Sequence, residues 1–209
     1  MKSAYPVAAL LRSIDTLAGL AEEEVERLVP HFRMQEWTAR STIAYQDECA
    51  DAVHFLTSGF AKIERRKGGL HLTAALIGPG EVFGALAVLR GEPRWASLVT
   101  LTPCTVLSMA ADSFHDAMQL NAAFAYALAK HFAGRLLKAN RQLELLRGPI
   151  GPRIEVLRQE WRALGVPDSV RLSNSEIARM LGCRREVVSR AMRKPGVRTP
   201  PSADRRVAG

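Results

Sequence analysis

The chain has 209 residues, 47% of them apolar, and a net charge of +8, which fits one large or two small domains with a packed core. The charge is lopsided: residues 149–209 hold 13 Arg/Lys against 6 Asp/Glu, a net +7, and leave only +1 for the first 148, so a polyanion partner is expected at one end. Cys49, Cys104 and Cys183 lie far apart and make no C-x2-C pair, which argues against a zinc site or an iron–sulfur cluster on sequential cysteines.

Residues 6–14 and 20–29 read as two helices, the second with Glu22, Glu23 and Glu24 in its first turn, where acids suit the positive end of the helix dipole. From about residue 32 to 109 the pattern changes to short β-branched and apolar segments split by turn signals. Strands are predicted at 42–45, 53–56 (ended by Ser58-Gly59), 60–65 (running to a hairpin turn at Gly68-Gly69), 70–77 (followed by Gly78-Pro79-Gly80), 97–101 and 105–109. Many short strands at near-regular spacing predict an all-β sandwich or roll.

A short helix follows at 112–119, and Asn121 caps a long one that reaches about residue 147. On the long helix Ala122, Ala125, Ala129, Phe132, Leu136, Ala139, Leu143 and Leu146 repeat at 3,4,3,4,3,4,3, an unbroken a/d seam. Other apolar positions, such as Phe124, Leu128 and Leu137, are expected to face the roll. A helix apolar on two sides needs two partners, here its own roll and a second copy of the chain in a two-fold dimer. The alternative is a helix buried wholly in its own domain. Gly148-Pro149-Ile150-Gly151-Pro152 is a breaker cluster and the expected hinge. A helix at 153–164, with Ile154, Val156, Leu157 and Trp161 apolar, ends at Gly165-Val166-Pro167.

Residues 172–194, LSNSEIARMLGCRREVVSRAMRK, read as two short helices joined at a glycine. Ser173 and Glu176 form an S-x-x-E capping box. Ile177, Met180 and Leu181 make one buried stripe, and Gly182 stops the helix. The second helix is expected to bury Val187, Val188, Ala191 and Met192 and to present Arg185, Glu186, Ser189, Arg190 and Arg193, with Arg184 just before it. This is the layout of a DNA-binding helix-turn-helix. The fold class is therefore α+β, with a roll plus N-terminal helices over 1–111, a dimerisation helix region over 112–147 and a helix-turn-helix domain over 148–209. No G-x-x-x-x-G-K-[ST], H-E-x-x-H or G-x-S-x-G occurs, and neither catalytic nor metal-binding residues are assigned. No charged-then-apolar leader opens the chain, and no apolar run approaches a membrane span, so a cytoplasmic protein with reduced thiols is expected.

Ser41-Thr42-Ile43 with Gln46 and Glu48, Gly59 after a strand, Gly80-Glu81-Val82-Phe83-Gly84, Arg94 followed by Ala96, and Gly182-Cys183 before Arg185-Glu186-Val187-Val188-Ser189-Arg190 all stand where one family places them. Over about residues 10–194 the chain resembles the Crp–Fnr family of bacterial transcription factors. The resemblance implies a cyclic-nucleotide-binding-like jelly roll controlling a DNA-binding dimer, with double-stranded DNA of pseudo-palindromic sequence and RNA polymerase as partners. Arg185 and Arg190 would then pair with guanine O6 and N7, and Glu186 with cytosine N4; Ser189 would add a weaker contact. Ser173 and Ser175 would meet phosphates.

The same resemblance places an effector at Gly84, Ala85, Arg94, Trp95 and Asn140. Gly84 and Arg94 match the cyclic-nucleotide members. Ala85 replaces their ribose-binding glutamate, Trp95 their phosphate-binding serine, and Ala139-Asn140 their threonine–serine pair on the long helix. Ribose hydroxyls would lose their acceptor, and the indole is expected to fill the space of a phosphate, so cyclic AMP is not the expected effector. Arg94 either binds an anion or pairs with Glu81 or Glu92. No cofactor is assigned; haem stays open as an alternative, with His71 and His131 the histidines in view. Cys49 is either a thiol switch or a plain surface cysteine. After Lys194 the family's winged hairpin has no counterpart: Pro195 ends the helix and a basic, disordered tail follows. The function expected is a homodimeric, sequence-specific DNA-binding regulator under allosteric control; the alternative is a ligand-sensing, dimerising protein whose DNA binding is weak without the wing.

Overall fold

The computed structural model describes residues 5–146, 148–167 and 172–193. Helices α1 (Tyr5–Arg12) and α2 (Glu22–Leu28) precede eight strands: β1 (Phe32–Trp37), β2 (Thr42–Ala44), β3 (Ala52–Ser58), β4 (Ala61–Lys67), β5 (Leu70–Ile77), β6 (Val82–Phe83), β7 (Ser97–Thr100) and β8 (Cys104–Ala110). Helix α3 (Ala85–Arg90) lies between β6 and β7. The strands form two four-stranded sheets, in the orders β1-β8-β3-β6 and β2-β7-β4-β5, and every pairing is antiparallel. Then come α4 (Ala111–Leu120), the long α5 (Ala122–Leu146), α6 (Ile150–Ala163), α7 (Asn174–Leu181) and α8 (Arg185–Met192).

The roll is held by two cores. One joins Phe55, Leu107 and Met109 to the N-terminal helices through Leu11, Ile14 and Val25, and to α4 and α5 through Phe114, Phe124 and Leu128. The other lies between the sheets and contains Leu56, Ile63, Ile77, Leu98 and Val106. The α+β class and the predicted strands are reproduced to within a few residues. Three elements were not predicted. In β1 only Phe32 is buried, so no apolar alternation marks it; its backbone pairing with β8 makes it a strand. β6 has two residues and α3 has six, closed by left-handed Gly84 and Gly91, too few for a period to show.

Asn121 caps α5 as expected, its Oδ1 accepting from the Phe124 N–H at 2.9 Å. Phe124 and Leu128 are fully buried against the roll. Leu137 is not: it is more than half exposed, correcting its assignment to the roll face. Along the seam Ala122, Ala129, Leu136, Ala139 and Leu143 are exposed, and Ala125 and Phe132 half-buried; the Leu146 side chain lies outside the described ones. The break between α5 and α6 is shorter than the hinge expected at 148–152. Pro149 is the N-cap of α6, and Gly151 and Pro152 lie in its first turn, where proline's missing N–H breaks no helical bond. The expectations about the wing and the basic tail fall on residues 194–209, outside the described residues.

Candidate functional site: a helix-turn-helix face and a cavity beside it

Helices α6, α7 and α8 pack around Ile154, Leu157, Ile177, Ala178, Leu181, Val188 and Ala191. The capping box is formed in both directions: Ser173 Oγ accepts from the Glu176 N–H, and Glu176 Oε2 accepts from the Ser173 N–H at 2.8 Å. Gly182 ends α7 at φ +60°, ψ +36°, a left-handed conformation that costs glycine little. Arg153 on α6 donates through Nη2 to the carbonyl of Leu181, which ties α6 to the turn. Val188 and Ala191 are buried as expected. Val187 is 38% exposed, a correction to the expected core; it follows Glu186 on the outer side of α8. Arg184, Arg185, Glu186, Arg190 and Arg193 are all exposed, and Ser189 is half-buried. The residues expected on the polar face are therefore exposed, Ser189 in part, with Val187 exposed among them. Ser173 is exposed and Ser175 half-buried at the start of α7, but the Ser173 hydroxyl is already engaged by Glu176. Cys183 packs against this core, and burial pushes its thiol pKa up, which makes it a poor nucleophile.

A second site lies where the roll, α5 and the helix-turn-helix unit converge, with α7 packed against β5. It is a cavity of about 910 Å³ lined by residues of β4, β5, α3, α5, α6 and α7, among them Gly84, Ala85, Arg94 and Trp95. The loop bearing Arg94 is clamped by its backbone, Arg94 N–H donating to Glu48 O at 2.9 Å and Asp47 N–H to Arg94 O at 2.7 Å. The guanidinium is 3% exposed. Its Nη2 donates to Asp51 Oδ1 at 3.0 Å and to Ala52 O at 2.8 Å, while its Nη1 is buried with no partner among the described residues. The expected alternatives, Glu81 and Glu92, are otherwise engaged: Glu81 accepts from Arg135 at 2.9 Å and Glu92 from Arg90 at 2.5 Å. Arg94 therefore has an ion-pair partner the sequence did not suggest and still keeps one donor free. A Cβ on Gly84 would stand 2.6 Å from Arg94 Nη1, and Gly84 has φ +92°. Only glycine fits beneath this arginine.

Trp95 does not plug the site. Its indole is 44% exposed and lies under the Arg65 guanidinium, 5.6 Å from carbon to ring centroid, a cation–π distance. Ala85 is buried as the first residue of α3; the carboxylates that line the cavity are Glu81, which is held by Arg135, and Glu160 on α6. Asn140 is exposed and does not line the cavity, although Ala139 does. His54, on β3, is buried, and desolvation with Arg94 nearby lowers its pKa to about 4. Its Nδ1 lies 2.9 Å from Ser108 Oγ; that hydroxyl donates to Gln35 Oε1, so the imidazole is neutral and carries its proton on Nδ1.

His131 Nδ1 contacts Thr16 Oγ1 at 3.0 Å; burial lowers its pKa, with Glu81 opposing the shift and Arg135 adding to it. His71 Nδ1 lies 3.6 Å from Glu64. Cys49 is exposed. Arg65, Thr73, Arg135, Lys138, Arg153 and Arg179 also line the cavity and were not foreseen. They come from five elements far apart in the chain: Arg65 shares a face of β4 with Ile63, and Thr73 lies beside Ala74, the extra β5 residue where the β4–β5 pairing shifts register.

Comparison with known proteins agrees with this layout. Residues 34–121 match the family model described as a cyclic nucleotide-binding domain. The chain is 30% identical over 181 residues to the cyclic AMP receptor protein of Thermus thermophilus, covering 83% of this chain and 82% of that one. Among solved structures it is similar to the c-di-GMP responsive global regulator CLP of Xanthomonas campestris, with a TM-score of 0.69 at 21% identity over 82% of this chain and 90% of that one. It is also similar to the Thermus thermophilus catabolite activator protein, with a TM-score of 0.55 at 29% identity over 85% and 84%.

Proposed function

Because the chain belongs to the Crp–Fnr family of transcription regulators, we propose that it reads a pseudo-palindromic DNA site as a homodimer, under the control of a small effector other than cyclic AMP. The observation that carries the DNA reading is the face of α8: Arg185, Glu186 and Arg190 stand exposed together on a helix whose opposite side is locked into a core by Val188 and Ala191. Such a helix presents long donors and one acceptor to the major groove with little freedom to tilt away. Arg185 and Arg190 pair with guanine, Glu186 with cytosine, and Arg184, Arg193, Ser173 and Ser175 lie toward the backbone. The exposed Ala122 and Ala129 of α5 belong to the dimer seam, which Leu136, Ala139 and Leu143 continue along the edge of the cavity they also line; the seam supports two half-sites about one helical turn apart. RNA polymerase is the further partner of a regulator of this kind, and its setting is the cytoplasm. Among the described residues no helix is long and apolar enough to cross a membrane.

The effector reading rests on Arg94, a buried cation that lines a large cavity and keeps one donor unpaired. Without a carboxylate at position 85 the ribose contact of a cyclic mononucleotide has no acceptor. The test is binding to a selected operator and to random duplex across salt concentration. Arg190→Ala is expected to weaken specific binding by about 1–3 kcal/mol and to relax base choice at one position in each half-site. A uniform loss over all duplexes would reduce Arg190 to a phosphate contact. Equal, weak binding of the unaltered protein to every duplex would favour the ligand-sensing, dimerising alternative.

A further inference from the structure

Six buried side-chain nitrogen or oxygen atoms lack a hydrogen-bond partner among the described residues: Trp37 Nε1, Arg65 Nε, Thr73 Oγ1, Arg94 Nη1, His131 Nε2 and Arg153 Nε. Four of them, on Arg65, Thr73, Arg94 and Arg153, belong to residues that line the same cavity. An unmet buried donor is costly, and more so on a charged group. Guanidinium N–H groups only donate and never lose their charge. The missing partner is therefore an acceptor, and an anion satisfies it best. Within a largely apolar lining the charged residues are mainly cations: Arg65, Arg94, Arg135, Lys138, Arg153 and Arg179 against the acids Glu81 and Glu160, of which Glu81 already holds Arg135.

These donors fall at two ends. Arg94 and Arg65 belong to the roll, joined through Trp95, which follows Arg94 in the chain and lies under Arg65. Arg153 belongs to α6 and is anchored on the last turn of α7; Thr73 is on β5, the strand that α7 packs against. One phosphodiester carries a single negative charge and serves one end. A cavity of about 910 Å³ stands near the top of the range for small-molecule sites.

We propose that the cavity holds two anionic groups at once, one on Arg94 with Arg65 and one on Arg153 with Thr73, so that the effector is a small molecule with two phosphate-class groups that bridges the roll and the helix-turn-helix unit. This rests on reading the cavity as the effector site. Such a ligand holds α6 and α7 against β5 directly, and occupancy sets where α8 points without a relay through α5.

The test uses the full chain and titration calorimetry with cyclic AMP, two cyclic dinucleotides (c-di-GMP and c-di-AMP) and inorganic phosphate. A dinucleotide is expected to bind at least tenfold more tightly than cyclic AMP. Arg153→Gln and Arg65→Gln, made separately, should each weaken it tenfold or more; Arg153→Gln should leave cyclic AMP within twofold, whereas Arg65→Gln and Arg94→Gln weaken every probe. Arg153 also supports the α7 turn, so Arg65→Gln, remote from that turn, is the variant that separates a ligand contact from a folding defect. Hydrogen exchange at residues 150–163 and 174–181 should slow when the dinucleotide binds. If cyclic AMP binds as tightly as both dinucleotides, or if Arg65→Gln and Arg153→Gln leave dinucleotide affinity unchanged, the two-anion site is wrong and the effector cavity stands. If no probe binds to the unaltered protein, the effector reading falls with it.

Discussion

Gly84 and Arg94 act as one unit. The arginine is held by Asp51 and Ala52, its free Nη1 lies over Gly84, and a Cβ there would also meet Ala52 O at 2.9 Å. Neither neighbour yields easily, one being backbone and the other a buried, tethered guanidinium. Gly84→Ala is expected to destabilise the roll by about 1–3 kcal/mol, the range for a strained positive-φ residue, as read by urea denaturation. His54 sets a pH response in the same region. Its pKa is near 6.5 in the unfolded chain and about 4 when folded, so below pH 6.5 the unfolded state takes the proton first. Stability is therefore full above pH 6.5, falls by about 1.4 kcal/mol per pH unit as pH drops toward 4, and levels off after a total of about 3 kcal/mol. Denaturation midpoints at pH 7.5, 5.5 and 4.5 should show this slope in the unaltered protein and a smaller one in His54→Gln.

At the scale of elements, α5 serves two surfaces with one sequence. Phe124 and Leu128 anchor it to the roll, while Tyr126, Leu136, Leu137 and Leu143 are each more than half exposed. So much apolar surface on one helix calls for a partner. Ala129 lies on the exposed seam and outside the cavity lining. Ala129→Glu should leave the monomer's melting curve in place and weaken self-association at least tenfold, as measured by sedimentation equilibrium. An unchanged mass would mean that the seam is not the interface. The elements read most faithfully from the sequence, α7, α8 and the capped start of α5, are those whose boundaries rest on local chemistry: Ser173 with Glu176, Gly182, and Asn121. Elements such as β1, β6 and α3 depend on neighbours far along the chain, and no local signal announced them.

For the whole molecule, the charge asymmetry decides how DNA affinity responds to salt. Residues 149–209 carry a net +7, and each phosphate neutralised adds about 0.9 to the slope of log affinity against log salt. Removing residues 195–209 takes away Arg198, Arg205 and Arg206. If these meet the DNA backbone, the slope should flatten by about 1–3 and affinity should fall equally for specific and random duplex. An unchanged slope would leave the binding to α7 and α8 alone.

The sequence by itself determined the order of parts: a β-rich segment, a long helix with an apolar seam, a break, and a capped helix–glycine–helix with a charged outer face. Each is encoded by neighbours within a few residues, through periodicity, capping and turn chemistry. Only the tertiary structure decided what Arg94 pairs with, that Trp95 lies under Arg65 instead of filling the site, that Asn140 stands outside it, and that Arg65, Thr73 and Arg153 share a cavity with Arg94. Those facts join residues up to 88 positions apart through strand register, a bulge in β5 and the docking of α7 on β5. No local pattern carries such information, because burial and charge compensation are settled by what the folded chain brings alongside.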